Sequence, residues 1–484
     1  MRVRVAQRQV LISRSGAAGL LAAGALSLGL AAGCATPPPE ESPTPQVRSV
    51  VLIVVDTLPA ATLGCYGNIR ETSPQVDRLA REGALFERVY APSNWTVPAT
   101  ASLLTSLYPS EHGAEVMGEM RTLSGQNPPN RLDNSITTLA EILATRNFKT
   151  GLFSANPYLK AGFQQGYGAS EIDRMSATAL NDLAIAWLRG LSGEPFFLHL
   201  QYMDLHLPVE PPPDFAALFA FEGDDMTQDE VKNWAFGRGK DAVGADFEDY
   251  RRRKVALNDG TMRYVDTEIG RLLLVLEELG VLSDTLIVVT SDHGEEFWQH
   301  AAEEVEMGGD PRNVYGIGHG HAMYEEIVRV PLVFSGPGIT EGARSSATWS
   351  LLDVAPTLLD MLGLKAPAEM RGRSLAPILG LQGEAPEHWE ALLIESPAYG
   401  PNSTVLVAGS HKLISRSDGI ELVFDLEEDP GERRNLAASD PDTTEELRDQ
   451  MSAMMALMGG APSAEQLQAD DETTEQLRAL GYVE

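Results

Sequence analysis

The sequence predicts an α/β fold, with a large and mostly parallel β-sheet flanked by helices and then a small C-terminal antiparallel α+β subdomain. Two observations predict it. Between residues 49 and 384, apolar strand-like runs alternate with segments of helical spacing, the pattern of a sheet whose strands are joined by crossover helices. Near residue 385 the pattern changes to short strands separated by turn residues.

Ser49–Val55 is a continuous β-branched run ending in Asp56 and reads as a buried parallel strand. Ser73–Glu82 has helical spacing, with Val76, Leu79 and Ala80 on one face. Ser73 followed by Pro74 supplies a capping hydroxyl and a first-turn proline. Asn134–Arg146 repeats that pattern, and a short strand at Thr150–Ser154 follows. The alternation continues with a helix at Ser176–Leu191, a strand at Pro195–Tyr202, a long amphipathic helix at Met262–Leu279, and strands at Thr285–Thr290 and Pro331–Ser335. Residues 385–484 hold candidate strands at Leu392–Glu395, Ser403–Ala408, His411–Ser415 and Glu421–Asp425, with a hairpin-type Asp418-Gly419 between the last two. A charged helix, Thr443–Met458, and a helical tail complete the subdomain. The acidic stretch 222–250 is poorly periodic and is expected to form a surface insertion or lid.

The chain of 484 residues carries 37 Lys and Arg against 69 Asp and Glu, a net charge of −32. That balance argues against a nucleic-acid partner, because phosphate contacts need clustered cations. No apolar stretch after residue 35 is long enough to cross a bilayer. The two cysteines, Cys34 and Cys65, exclude a disulfide framework, and Cys65 is expected to be a small buried hydrophobe.

Residues 1–33 read as an export signal. Arg2, Arg4, Arg8 and Arg14 precede an Ala-, Leu- and Gly-rich run ending in Leu30-Ala31-Ala32-Gly33-Cys34, a positive region, an apolar region and a small-residue cleavage site. Small residues followed at once by Cys resemble a bacterial lipoprotein signal. That resemblance implies lipidation of Cys34, a membrane anchor, and a periplasmic or cell-surface location. Residues 34–48 hold five prolines and read as an extended tether.

In open α/β sheets, ligands bind beyond the carboxyl ends of the strands. Asp56, the pair Asp204 and His206, and the pair Asp292 and His293 follow predicted strands, while His319 and His321 lie in a loop before the strand at Pro331. Any one Asp there reads as a turn residue. Their joint occurrence, with His300 nearby, suits a divalent metal such as zinc, manganese or calcium. In Ala91–Ala114 a polar loop meets a helix near Pro98. Thr96 there is either the cap of that helix or a metal-activated nucleophile.

Several blocks resemble the sulfatase family of the alkaline-phosphatase superfamily, from about residue 48 to the C-terminus. They are Ser49–Asp56, Trp95–Ser106, Thr285–Glu296, Tyr324-Glu325-Glu326 with Arg329-Val330-Pro331-Leu332, Asp353-Val354-Ala355-Pro356-Thr357, and the tail from His411 through Asn435-Leu436. The resemblance implies the sulfatase-like fold and ester hydrolysis. The departures are specific. Thr96 stands where the family places the Cys or Ser that becomes formylglycine, and Thr cannot be so converted. Ala99 and Thr100 replace the Ser and Arg of that motif, Thr57 replaces a second Asp, and His321 stands where a sulfate-binding Lys is expected. Ser154-Ala155-Asn156-Pro157 occupies the region of the missing Gly-Lys-Trp-His block.

The remaining set is similar to phosphatase and phosphodiesterase members. By that similarity, Asp56, Thr96, Asp292 and His293 form a first metal site, most often zinc. Asp204, His206 and one of His319 or His321 form a second. Asn94 and Thr100 are expected at the substrate, a small-molecule, glycan or lipid ester. Thr96 would attack phosphorus or sulfur, with a second metal, or protonated His206 and His321, assisting the leaving oxygen. The expected preference is for phosphate mono- or diesters. The alternatives are sulfate ester hydrolysis without formylglycine, phosphoglycol or phosphoethanolamine transfer, and an inactive binding lipoprotein.

Overall fold

The computed structural model describes residues 47–116, 120–121, 129–223, 245–308, 312, 314–462, 465–468 and 470–479. These belong to one compact unit. The expected signal segment, Cys34, nearly all of the tether and residues 224–244 of the acidic stretch lie outside the described residues. No described helix is long and apolar enough to cross a membrane.

Among the described residues sixteen strands run β1 Ser49–Val55, β2 Ala84–Tyr90, β3 Met120–Arg121, β4 Lys149–Ser154, β5 Ala169–Ile172, β6 Phe196–Tyr202, β7 Thr285–Thr290, β8 Glu296–Phe297, β9 Ile317–Gly318, β10 Arg329–Ser335, β11 Ala343–Ser350, β12 Ala391–Ile394, β13 Gly400–Pro401, β14 Ser403–Ala408, β15 His411–Arg416 and β16 Glu421–Asp425. Eight of them form the main sheet in the order β11-β2-β10-β7-β1-β6-β4-β5. Only β10 runs against its neighbours, pairing antiparallel with β2 and β7. The central strand β1 is parallel to both β6 and β7, with Val54 opposite Gln201 and Thr290.

Side chains alternate across this sheet and so feed two separate cores. Val50, Leu52 and Val54 of β1 face one apolar cluster with Trp95, Val97 and Ala101. Val51, Ile53 and Val55 face the other, with the helices Ala177–Arg189 and Ala245–Glu278. The first cluster continues without a break into the C-terminal sheet, ordered β12-β14-β15-β16, through Leu393, Leu406 and Leu413. A buried ion pair adds to that join. Lys412 on β15 lies 2.9 Å from Glu432 and 3.3 Å from Glu325, just ahead of β10. Removing one member of such a buried group would strand the others' charge.

The expected elements occur close to their predicted bounds, with four physical corrections. The helix read at Asn134–Arg146 is only Leu139–Ala144, started by a reciprocal Thr138–Glu141 capping box. The helix read from Met262 begins at Ala245, because its polar first turns pack a few aromatics, Phe247 and Tyr250 against Trp298. Cys65 is half-buried rather than buried. Ser73 precedes its helix but its hydroxyl does not cap it. The hydroxyl donates to Asp77, and the free N–H groups of Gln75 and Val76 are taken by the carboxylate of Asp266 at 2.9–3.0 Å.

Asp266 therefore caps a helix from a distant element and clamps it to the long helix. Asp266→Ala is expected to lower the unfolding free energy by about 1–2 kcal/mol. Urea denaturation checks this, and an unchanged midpoint would show that the clamp contributes nothing.

Candidate metal centre and active site

Asp56 and Asp292 sit just past neighbouring strands, on the sheet face that carries the Trp95–Ala101 segment. Asp56 follows Val54 in parity and Asp292 follows Val288. Both carboxyls are buried. With His293 they form a group whose ligand atoms all lie within 4.8 Å of one another. His293 Nε2 lies 3.7 Å from Asp56 Oδ1 and 3.8 Å from Asp292 Oδ2. Its Nδ1 lies 3.0 Å from the Gly294 carbonyl, so Nδ1–H donates there and Nε2 turns its lone pair towards the carboxylates.

Burial and mutual repulsion push Asp56 up to about 7. Burial also pushes Asp292 up to about 7, while burial lowers His293. Asp56 Oδ1 has no hydrogen-bond partner, a costly state for a buried oxygen unless something cationic meets it. The residues present thus fit one divalent cation. Backbone strain accompanies the site. Thr57, directly after Asp56, holds φ at 59°, unfavourable for a β-branched residue and typical of functional positions.

Thr96 meets this group. It is the first residue of the helix Thr96–Thr105, so the helix begins two residues earlier than expected and Trp95, not Thr96, is the capping position. The Thr96 hydroxyl is buried and lies 3.4 Å from His293 Nε2. It accepts a hydrogen bond from Asn156 Nδ2 at 3.1 Å, and the same amide nitrogen donates to Asp56 Oδ2 at 2.6 Å. Asn156 Oδ1 accepts from Tyr158 N, which orients the amide. Gln201 Nε2 donates to both Asp56 Oδ2 at 3.3 Å and Asp292 Oδ2 at 3.1 Å. Neither Asn156 nor Gln201 was anticipated as a site residue. The available signals were an Asn-Pro just past a strand, and two polar residues, His199 and Gln201, spaced two apart in an apolar strand.

The second expected metal set is not brought together. Asp204 faces away, towards the helix Ala177–Arg189, where its Oδ1 accepts from Ala177 N at 3.0 Å. It lines an open cavity of about 360 Å³ with Arg174, Ser176, His206 and Glu210. His206 and His319 do approach the centre. Their rings are 5.0 Å apart, and the His319 ring is 4.3 Å from that of His293. His319 is therefore the member of the His319/His321 pair at the site. His319 Nδ1 lies 2.9 Å from Glu295 Oε2. His321 points instead to Glu304. His300 stacks on Tyr324 and pairs with Glu326 at 2.7 Å.

Burial opposes the alternative of a protonated His206. Burial, above all, lowers it to about 3, and its Nδ1 lies 2.7 Å from the Leu207 carbonyl. It is neutral, with the Nε2 lone pair free of a proton. Burial holds His319 well below its usual range and Glu295 well above its own. Asn94 and Thr100 are buried. Asn94 Nδ2 donates to the Ala322 carbonyl, and its own carbonyl accepts from Gly320 N, so it ties the Thr96 loop to the His319 loop. Thr100 lies one turn behind Thr96, its hydroxyl without a partner.

Buried carboxylates, an imidazole and a hydroxyl gathered at strand ends define a metal-dependent hydrolase centre. Comparison with known proteins gives the family. The Sulfatase profile matches residues 48–364, and that of N-sulphoglucosamine sulphohydrolase, C-terminal, matches 315–458. The chain belongs to the sulfatase family and is an ester hydrolase. It is 24% identical to an arylsulfatase of Clostridium perfringens over 81% of this chain and 90% of that one. It is 26% identical to the multifunctional alkaline phosphatase superfamily protein PehA of Trinickia caryophylli over 78% and 87%. A structure of BT4656 in complex with its substrate D-glucosamine-2-N,6-O-disulfate superposes with a TM-score of 0.67 at 21% identity, covering 85% of this chain and 98% of that one. The phosphonate monoester hydrolase of Agrobacterium radiobacter gives 0.65 at 21%, covering 85% and 95%.

The raised carboxyls predict a pH-dependent metal affinity. Protons compete with the cation below about pH 7, where at least one carboxyl must ionise on binding, and cease to compete above it. Isothermal titration of metal-stripped protein is expected to show affinity rising up to about tenfold per pH unit from pH 6 to 7 and levelling off beyond, with proton release confined to the lower range.

Proposed function

We propose that the protein hydrolyses phosphate esters, mono- or diesters, through Thr96 as nucleophile, with sulfate esters as weaker substrates. The observation that carries the reading is the Thr96 hydroxyl. It is buried against His293 and Asn156, is linked to Asp56 through Asn156, and takes no capping role. The preference for phosphate rests on the missing sulfate-contacting Lys and Gly-Lys-Trp-His block. It agrees with phosphonate monoester hydrolases among the structural neighbours.

A divalent cation held by Asp56, Asp292 and His293 would supply Lewis acidity, lowering the pKa of the Thr96 hydroxyl and offsetting charge on the ester. An imidazole ligand favours zinc or manganese over calcium, which prefers an all-oxygen shell. Asn156 holds the Thr96 oxygen by an N–H and orients it beside Asp56. Thr96 Oγ, as the alkoxide that such a cation would stabilise, attacks phosphorus in line, the Oγ–P bond forms, and the bond to the leaving oxygen breaks. Protonated Glu295 donates to His319 Nδ1 across 2.9 Å, so His319 Nε2–H gives its proton to the leaving oxygen while the Glu295 proton passes to Nδ1. Water then attacks phosphorus, returns a proton to the pair and frees Thr96. His206 orients the substrate beside the open cavity.

Thr96→Ala in folded protein is expected to lower kcat on the order of 10³-fold or more, with Thr96→Ser retaining much of it. Rates on nitrophenyl phosphate, a bis-nitrophenyl diester, a phosphonate monoester and nitrophenyl sulfate test the substrate class. Full activity of Thr96→Ala removes the nucleophile. Hydrolysis of the sulfate alone replaces the phosphate reading with a sulfatase that lacks formylglycine.

The same proposal places the enzyme outside the cytoplasm, anchored through a lipid on Cys34. The basic and apolar residues before Leu30-Ala31-Ala32-Gly33-Cys34 support it. Cys34→Ser is expected to move the protein from the membrane fraction to the soluble fraction and to abolish fatty-acid labelling. Unchanged fractionation refutes the anchor.

A further inference from the structure

We propose that Trp95 is a positioning residue for the Thr96 hydroxyl, and that Ser396, from the C-terminal part of the chain, holds Trp95 in place. This rests on the reading of Thr96 as nucleophile and adds what aims it. The helix Thr96–Thr105 starts without a side-chain cap, because its capping position is Trp95, whose indole can donate a hydrogen bond but not accept one. The direction of the first turn is therefore set by whatever fixes the residues before it.

Those residues are held from the segment after β12. The Ser396 carbonyl accepts from Trp95 Nε1 at 2.8 Å and from Ser93 Oγ at 3.1 Å. Glu395 N donates to the Pro92 carbonyl at 2.9 Å. Ser93 and Trp95 are buried, so moving the Ser396 oxygen would leave two buried donors without this acceptor. Ser396 holds φ at 60°, a left-handed conformation that residues other than glycine seldom adopt. Such strain persists where the surroundings over-determine it, and it gathers at functional sites.

The ring of Trp95 reaches Thr96 by a second route. It packs edge-on against Tyr158, with ring centroids 6.0 Å apart. Tyr158 N donates to Asn156 Oδ1 at 3.0 Å, and Asn156 Nδ2 donates to the Thr96 hydroxyl at 3.1 Å. Trp95 thus acts on the nucleophile through the peptide bond they share and through the amide that orients the hydroxyl. The same segment also fixes the other side of the centre. Tyr399 N donates to the Gly320 carbonyl at 2.8 Å, and Gly320 N donates to the Asn94 carbonyl at 3.1 Å. A Cβ on Gly320 would stand 2.9 Å from Ala398 Cβ, so this close approach needs glycine. Misplacing a reacting atom by about 1 Å can cost on the order of 10²-fold in rate, which is the effect this clasp would prevent.

Trp95→Phe removes the indole N–H and keeps most of the ring. It is expected to lower kcat roughly 10–100-fold, with KM within about twofold and the divalent-metal content unchanged. Ser396→Pro, whose ring fixes φ at about −65°, withdraws the carbonyl and is expected to give the same split. In Thr96→Ala protein, Trp95→Phe is expected to lower the residual rate no further. Wild-type kcat in folded Trp95→Phe, or in Ser396→Pro where Trp95→Phe does not fold, overturns the proposal whatever the melting temperature. So does a rise in KM alone, or a further loss in the Thr96→Ala background. Full activity of Thr96→Ala refutes the nucleophile instead, and amide exchange then decides. Faster exchange over residues 96–101 in Trp95→Phe upholds the positioning, and unchanged exchange overturns it.

Discussion

Two carboxyl groups held side by side in a dry site impose the constraint on which the rest of this structure depends. Asp56 and Asp292 present oxygens within 4.8 Å of each other, where two full charges at an effective dielectric of 20 repel by roughly 3.5 kcal/mol or more. Their surroundings are arranged to reduce that cost. Gln201 bridges both carboxylates, Asn156 donates to Asp56, and His293 N donates to Asp292. What remains is an unpartnered oxygen and a lone pair, both aimed at the same space. A cation is the one kind of group that answers both, and Thr96 is placed where that cation would act on it.

Strand parity explains why some of this was legible in the sequence and some was not. β1, β6 and β7 are continuous apolar runs, so their ends are visible, and with them Asp56, Asp292 and His293. Each side of the sheet, however, is set by odd or even position. On β6, Phe197, His199 and Gln201 face the Thr96 side, whereas Tyr202 faces the helix Ala177–Arg189 and bonds Asn181 there. Asp204 shares the parity of Tyr202 and caps that same helix. Residues two apart do face the same way, but the comparison that mattered was with Gln201, which lies three away and on the other side.

Other features were hidden because their cause is tertiary. β2 carries Glu87 and Arg88 within an apolar strand, and β11 alternates exposed and half-buried residues at the sheet edge, so neither reads as a buried run. The choice of His319 over His321 depends on which ring the loop turns inward. Gly318 and Gly320 there hold φ at 95° and 83°, so the loop departs from any strand or helix period. Asn156 carries no family signal, because it stands where the family's sulfate-contacting block is missing. Its position between Asp56 and Thr96 gives that departure a physical meaning. Where a side chain for the substrate is expected, this chain places one that bonds both Asp56 and the Thr96 hydroxyl.

On the proposed mechanism, a nucleophile bonded to phosphorus would require the same groups to act twice. The group that protonates the leaving oxygen must afterwards accept a proton from the attacking water. Glu295 and His319 are suited to both because burial opposes charge on each, raising the carboxyl and lowering the imidazole, while the 2.9 Å contact lets one proton move between them. The proton returned in the second step is the one spent in the first, so the buried centre ends the cycle with the charge it began with. On the proposed mechanism, turnover through Thr96 would depend on a neutral, reversible proton carrier as well as on the Thr96 hydroxyl.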